Sequence, residues 1–185
     1  EISATLAFSA LQNNDKVGLI LFSDEVELYI PPSKGKTHVL RIIRELIEFK
    51  PKSKKTDISE ALQFLIGVIK KKSIAFILSD FISENYEKTL KICAKKHDLT
   101  GIRIFDKMEE SIPNMGIISM FDQETEEVKM IDTSSHSLRK KYELFNKVNS
   151  KRFNQVFSKH GAGTLNCRTD ESYVKKLLSY FKTRG

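Results

Sequence analysis

The chain has 185 residues, 40% of them apolar, and a formal net charge of +7 at pH 7. That length carries a full hydrophobic core, and without a low-complexity tract the composition excludes intrinsic disorder. No apolar run approaches the roughly 20 residues that cross a bilayer, no basic-then-apolar leader opens the sequence, and the two distant cysteines, Cys93 and Cys167, exclude a disulfide framework and favour a reducing, cytoplasmic compartment.

The sequence starts inside a helical pattern, with Ile2, Leu6, Ala10 and Leu11 on one face and no capping residue ahead of them, so an upstream segment is expected. Asn13-Asn14-Asp15 ends that helix. A strand over 17–22 follows, then a short antiparallel return over 26–30 that Pro31-Pro32 closes. Val39, Leu40, Ile42, Ile43, Leu46 and Ile47 recur at helical spacing and predict an amphipathic helix over 38–49. After a lysine-rich loop, Asp57 is placed to cap the next helix, with Glu60 at capping-box spacing ahead of Ala61, Leu62, Leu65 and Ile69. A strand over 74–78, a helix over 84–97 and a strand over 102–105 make a βαβ unit.

Two apolar runs on either side of Gln123-Glu124-Thr125-Glu126-Glu127 predict a hairpin over 117–132. Leu138, Tyr142, Phe145, Val148, Phe153, Val156 and Phe157 then mark a long helix, expected to bend near Asn149-Ser150 and to end at Gly161 and Gly163. A strand over 164–167 and a last helix bearing Val174, Leu177, Leu178 and Phe181, capped by Thr169 or Asp170, complete a single domain over 1–185.

Three of the apolar runs stop at an aspartate: 17–22 before Ser23-Asp24, 74–78 before Ser79-Asp80, and 102–105 before Asp106. Short continuous apolar runs suit strands buried on both faces of a parallel sheet, whose carboxyl ends share one edge where ligands bind. An acidic rim there suggests a cation; the alternative is that Asp24 and Asp106 simply begin turns. The basic clusters Lys50-Pro51-Lys52-Ser53-Lys54-Lys55 and Lys70-Lys71-Lys72 lack interleaved aromatic residues, so they read as solvated surface and no nucleic-acid partner is expected. No glycine-rich phosphate loop, nucleophile elbow or metallohydrolase helix is present, and His38, His97, His136 and His160 show no ligand pairing. His97, at a helix end, is expected to make a local hydrogen bond or a favourable dipole contact.

Lys55-Thr56-Asp57-Ile58-Ser59 at a helix start and Leu78-Ser79-Asp80-Phe81 at a strand end belong to a longer pattern. With Asn14-Asp15-Lys16 and the strand through Ser23-Asp24, Pro31-Pro32, Lys96-His97-Asp98, Ile112-Pro113, Asp122-Gln123-Glu124-Thr125 and Thr169-Asp170, they closely resemble the bacterial domain-of-unknown-function 58 family, a branch of the von Willebrand factor A-like domains. The resemblance implies a three-layer, doubly wound, mostly parallel α/β sheet whose first central strand is absent from this sequence. It also implies a metal-ion-dependent adhesion site built from an Asp-x-Ser-x-Ser loop, a threonine and an aspartate. Thr56 matches the threonine and Asp80 the aspartate, whereas the Asp-x-Ser-x-Ser loop would lie upstream of Glu1.

Mg²⁺ favours such octahedral oxygen sites and keeps several waters, so it is expected as a cofactor of the full-length protein and not as a tightly held ion here. The missing strand implies a slot to be filled by another copy, by closing of the sheet or by oligomerisation. The function implied is that of a non-enzymatic protein-interaction domain, free of membrane contact, working with a MoxR-type AAA+ ATPase of the kind encoded beside family members. The alternative is a phosphoryl-accepting or hydrolase-like α/β enzyme using Asp80 as nucleophile, with Asp24, Thr56 and Lys55 as its local helpers. A purely structural reading also stands: Thr56 and Asp80 cap a helix and a loop.

Overall fold

Helix α1 (Ile2–Gln12) reverses into strand β1 (Val17–Phe22) through Asn14, which takes a left-handed conformation at φ 56°. Asparagine tolerates this because its short polar side chain satisfies backbone groups locally. In this computed structural model, which describes residues 1–83, 85–121 and 128–184, the chain divides into two units, Glu1–Val68 and Ile69–Gly185.

The first unit continues with β2 (Val26–Ser33), α2 (Lys36–Glu48) and α3 (Ile58–Val68). β1 and β2 form an antiparallel ribbon in which Leu19 faces Ile30 and Leu21 faces Leu28. Pro31-Pro32 does not close β2 as expected; the strand runs through both prolines to Ser33. An edge strand tolerates proline where no ladder donor is needed, and here the register slips between Val17 and Leu19. Gly18 makes the approach feasible, since a Cβ there would lie 2.8 Å from the Ile30 carbonyl oxygen and 3.0 Å from the Pro32 nitrogen. Ala7, Ile30, Val39, Ile42, Ile58 and Leu62 form the buried core of this unit. The expectation that the 17–22 run lies in a parallel sheet covered on both faces is corrected: among the described residues β1 pairs with β2 alone, and its side chains are half-buried.

The second unit contains β3 (Ile74–Ser79), α4 (Glu87–Lys96), β4 (Asp98–Phe105), α5 (Lys107–Glu110), β5 (Ile117–Phe121), β6 (Val128–Asp132), α6 (His136–Lys159), β7 (Gly163–Arg168) and α7 (Tyr173–Arg184). Its main sheet is parallel, in the order β3-β4-β7. Adjacent residues of the central strand β4 point to opposite faces, and their contacts locate the helical layers. A Cβ on Gly101 would meet Phe157 and Phe153 of α6, whereas the Thr100 hydroxyl lies 2.8 Å from the Tyr180 hydroxyl of α7. Helices therefore cover both faces, and β4 reads as the almost continuous buried run expected of such a strand. The expected α/β class, with helices on both faces of a parallel sheet, holds in this unit.

Helix α6 is a continuous 24-residue α-helix. It ends in a Schellman motif: Gly161, at φ 72°, donates to the Ser158 carbonyl and Ala162 donates to that of Phe157. Gly163 opens β7 instead of ending the helix. For α7 the expected caps are corrected: the Ser172 hydroxyl accepts from the Lys175 N–H at 3.5 Å, while Thr169 and Asp170 side chains bond to Asp106 and Arg168. Of its four expected apolar anchors only Leu177 is buried. The β5–β6 ribbon confirms the hairpin, and its polar segment 122–127 lies outside the described residues, as does Glu84.

His97 departs from expectation. It is buried between α4 and β4, and among the described residues neither ring nitrogen has a hydrogen-bond partner. Burial, reinforced by the Lys96 ammonium, holds its pKa below 6.5. In the unfolded chain the imidazole returns to its ordinary value, so as pH falls through 6.5 the unfolded state takes up a proton that the folded ring resists. Stability from this group is thus lost on the acid side of 6.5 and unaffected above it. In urea titrations, the fall in midpoint between pH 7 and pH 5.5 is expected to be smaller for His97→Leu than for the parent. Equal falls would refute the assignment.

Candidate functional site

In the first unit the turn after β1 and the loop before α3 are stitched together. The Asp57 N–H donates to the Ser23 carbonyl at 2.8 Å, and the Lys52 N–H donates to the Glu27 carboxylate at 2.8 Å. Asp57 caps α3 through Oδ1, which accepts from the N–H groups of Ser59 at 2.7 Å and Glu60 at 3.2 Å. The reciprocal half of the expected capping box is missing because the Asp57 N–H is already committed to Ser23. Thr56, one residue earlier, is exposed beside this junction. The Ser53 hydroxyl holds the Asp24 carboxyl below its ordinary range, with smaller help from Ser23 and Lys55. Glu27 is lowered likewise, first by the Ser23 hydroxyl and then by the Lys52 and Ser53 backbone N–H groups.

In the second unit Asp80 follows the last residue of β3 and is exposed. Its Oδ1 accepts from the Ile82 N–H at 3.2 Å, the Ser79 hydroxyl accepts from the Phe81 N–H at 3.2 Å, and the buried Arg103 donates through Nε to the Asp80 carbonyl at 3.3 Å. Phe81 sits at φ 57°, a left-handed conformation that costs a bulky residue about 1–2 kcal/mol. Its ring offsets this by packing 4.4 Å from that of Phe153 and 5.3 Å from that of Phe157. The turn bearing the carboxylate is thereby bolted to the aromatic core.

Asp106 ends β4 but is not a free acid. It caps α5 through the Met108 N–H at 2.8 Å, completes a capping box with Glu109, and accepts from the Thr169 hydroxyl at 2.8 Å. The Met108 N–H first and the Thr169 hydroxyl second hold its pKa low. Asp24 and Asp106 thus serve as turn and cap residues. Sequence reasoning did not single out Ser23, Glu27 or Arg103. For Arg103 the signal was present, as a lone charge inside the apolar run Ile102-Arg103-Ile104-Phe105; its guanidinium lies 4.4 Å over the Phe105 ring.

Thr56 and Asp80 supply a hydroxyl and a carboxylate, donors that suit Mg²⁺. They belong to different units, and Asp80 already spends one oxygen on its own turn. Among the described residues no group of three acidic, histidine or cysteine side chains gathers around a common point. This donor set does not by itself fit a resident Mg²⁺. Two surface recesses of the second unit are not lined by Asp80. One of about 530 Å³ is lined by Lys72, Lys95, His97 and Asp98, and one of about 330 Å³ by Ile112, His136 and Arg139. Cys93 and Cys167 are buried thiols; burial pushes Cys93 up to about 11 and raises Cys167, so neither is a thiolate nucleophile near neutral pH.

A parallel α/β sheet with helices on both faces places the second unit in the class of open α/β folds. Residues 1–152 match the family described as "Protein of unknown function DUF58", and the chain belongs to that family. It is 20% identical over 185 residues to the uncharacterized protein Rv1480 of Mycobacterium tuberculosis, covering 98% of this chain and 58% of that protein. It is 23% identical over 129 residues to the uncharacterized protein MAV169 of Mycobacterium avium, covering 69% of this chain and 76% of that protein. The chain thus spans 58% of the length of its Mycobacterium tuberculosis relative.

Two crystal structures share the fold. One is an aerotolerance-related membrane protein from Bacteroides fragilis with multiple mutations to serines, at TM-score 0.61 and 15% identity over 98% of this chain and 87% of the other. The second is the conserved hypothetical protein BatB from Bacteroides thetaiotaomicron, at TM-score 0.54 and 16% identity over 99% and 86%. Among the described residues no helix is long and apolar enough to cross a membrane.

Proposed function

We propose that the chain is a non-enzymatic protein-interaction domain whose recognition residue is Asp80, with a MoxR-type AAA+ ATPase as partner. One observation carries this reading: the exposed Asp80 carboxylate stands on a turn held in a strained conformation by a core aromatic ring and a buried arginine. Backbone strain at Phe81, next to the exposed Asp80, is of the kind retained where the geometry itself is used. A carboxylate fixed in this way loses little conformational freedom on engaging a partner, which favours binding. Thr56 is proposed, in its own unit, as an exposed hydroxyl donor to Mg²⁺. Both units are taken to serve one domain, a view supported by a family match that runs through the first and well into the second.

The test is capture of the ATPase by the full-length protein, in Mg²⁺ or in chelator, with Asp80→Ala beside the parent. Capture in Mg²⁺ is expected to fall at least tenfold in the variant, and chelation is expected to reproduce the loss. Undiminished capture by Asp80→Ala would overturn the reading. A phosphate-sized mass adduct after incubation with acyl phosphate, lost in Asp80→Asn, would instead establish the enzyme.

A further inference from the structure

Among the described residues, the outward face of α6 carries an unpartnered patch with a distinctive charge border. Asn146, Phe153 and Phe157 are the buried residues of this helix and mark the side on which it packs. At 3.6 residues per turn, Leu144 and Val148 fall opposite that side and Phe145 beside them. They are 61%, 54% and 53% exposed. Three neighbouring large apolar side chains in water, on a helix whose inner face is already anchored, mark an interaction surface.

Helix α6 bears Arg139, Lys140, Lys141, Lys147, Lys151, Arg152 and Lys159 against one acid, Glu143, and Lys147 pairs with that acid at 2.5 Å. Lys140 and Lys141 lie one turn before the patch and Lys151 and Arg152 one turn after it, all exposed. At about 1.5 Å per residue the two basic pairs stand about 16 Å apart along the axis.

We propose that this face docks an acidic amphipathic helix of a partner protein, its apolar side chains seated on Leu144, Phe145 and Val148 and its carboxylates against the two basic pairs. The i,i+4 ridge formed by Leu144 and Val148 is the element that packs into the groove of another helix. Cations on both flanks favour acidic segments and reject basic ones. A bilayer is the poorer occupant. A surface-lying helix needs a continuous apolar stripe, and here Ser137, Lys141, Lys151 and Gln155 lie along the same outward line. The surface does not involve Asp80, so either proposal can fail without the other.

The test places a diazirine amino acid at position 145 of the full-length protein in its own cells, with position 63, an exposed site on α3, as control. A protein adduct is expected at 145 and not at 63. It should fall at least tenfold in Lys141→Glu/Lys151→Glu, with circular dichroism unchanged. The cross-linked peptide should map to a helix with Asp or Glu one turn outside its apolar residues. Absence of an adduct, a lipid adduct, an adduct within the same chain, a peptide without that acidic pattern, or an adduct indifferent to charge reversal would each overturn the proposal.

Discussion

Truncating Phe153 to alanine is expected to destabilise the Ile69–Gly185 unit by about 3–5 kcal/mol, the range for removing a buried aromatic side chain. The ring is fully buried and packs, tilted, against both Phe81 and Phe157, at 4.4 and 4.9 Å. It is also the surface on which α6 meets β4, because a Cβ at Gly101 would touch it. The truncation leaves a cavity against the rings of Phe81 and Phe157. A second consequence follows at the strand end. Phe81 holds its left-handed backbone only while its ring is anchored, so loss of Phe153 should loosen the Asp80 turn and weaken partner capture even where the variant remains folded. Urea titration checks the first effect, with Phe145→Ala as the comparison on the same helix. That side chain is 53% exposed, and its truncation is expected to change stability by no more than about 0.5 kcal/mol. Similar losses for the two variants would show that α6 does not pack as described.

Much of this architecture was legible in the sequence because period and punctuation agree. The α6 apolar spacing, the Asp57 cap and the β3–α4–β4 unit each combine a hydrophobic period with a residue whose chemistry starts or stops an element. What escaped was set by tertiary partners. Pro31-Pro32 reads as a strand end, yet an edge position opposite Gly18 lets β2 continue. The capping box at Asp57 is half made because the Ser23 carbonyl takes the donor it needed. Val174, Leu178 and Phe181 look like core from their spacing, but of the described residues of that helix only Leu177 is buried. Periodicity marks a face without saying how wide its cover is. At the candidate site the aspartates were readable as a set, and the groups each carboxylate binds were not. Asp106 is consumed by Met108 and Thr169, the latter 63 residues away in sequence. Only the fold brings that hydroxyl to it.

A methyl group added at Gly101 tests the same packing from the opposite side. Replacing a strand glycine by alanine ordinarily stabilises by about 0.5–1 kcal/mol, because glycine loses more backbone freedom on folding. At Gly101 the added Cβ would lie 2.6 Å from Phe157 Cε1 and 2.7 Å from Phe153 Cε2. Both rings are fully buried, so neither can swing aside as an exposed side chain would. Overpacking of this kind costs about 1–3 kcal/mol, which exceeds the entropic gain and reverses the sign. Gly101→Ala is therefore expected to lower stability and Gly101→Val to lower it further, whereas Gly67→Ala, in α3 with nothing within 4 Å of the added carbon, is expected to raise it. Urea midpoints of the three variants give the signs directly. Pairing Gly101→Ala with Phe157→Leu supplies the mechanism, since a smaller side chain vacates the space the methyl group needs. The double variant should then lose less than the sum of the single losses, a coupling that only touching residues show. Strict additivity, or a stabilised Gly101→Ala, would mean that β4 and α6 stand farther apart than these distances state.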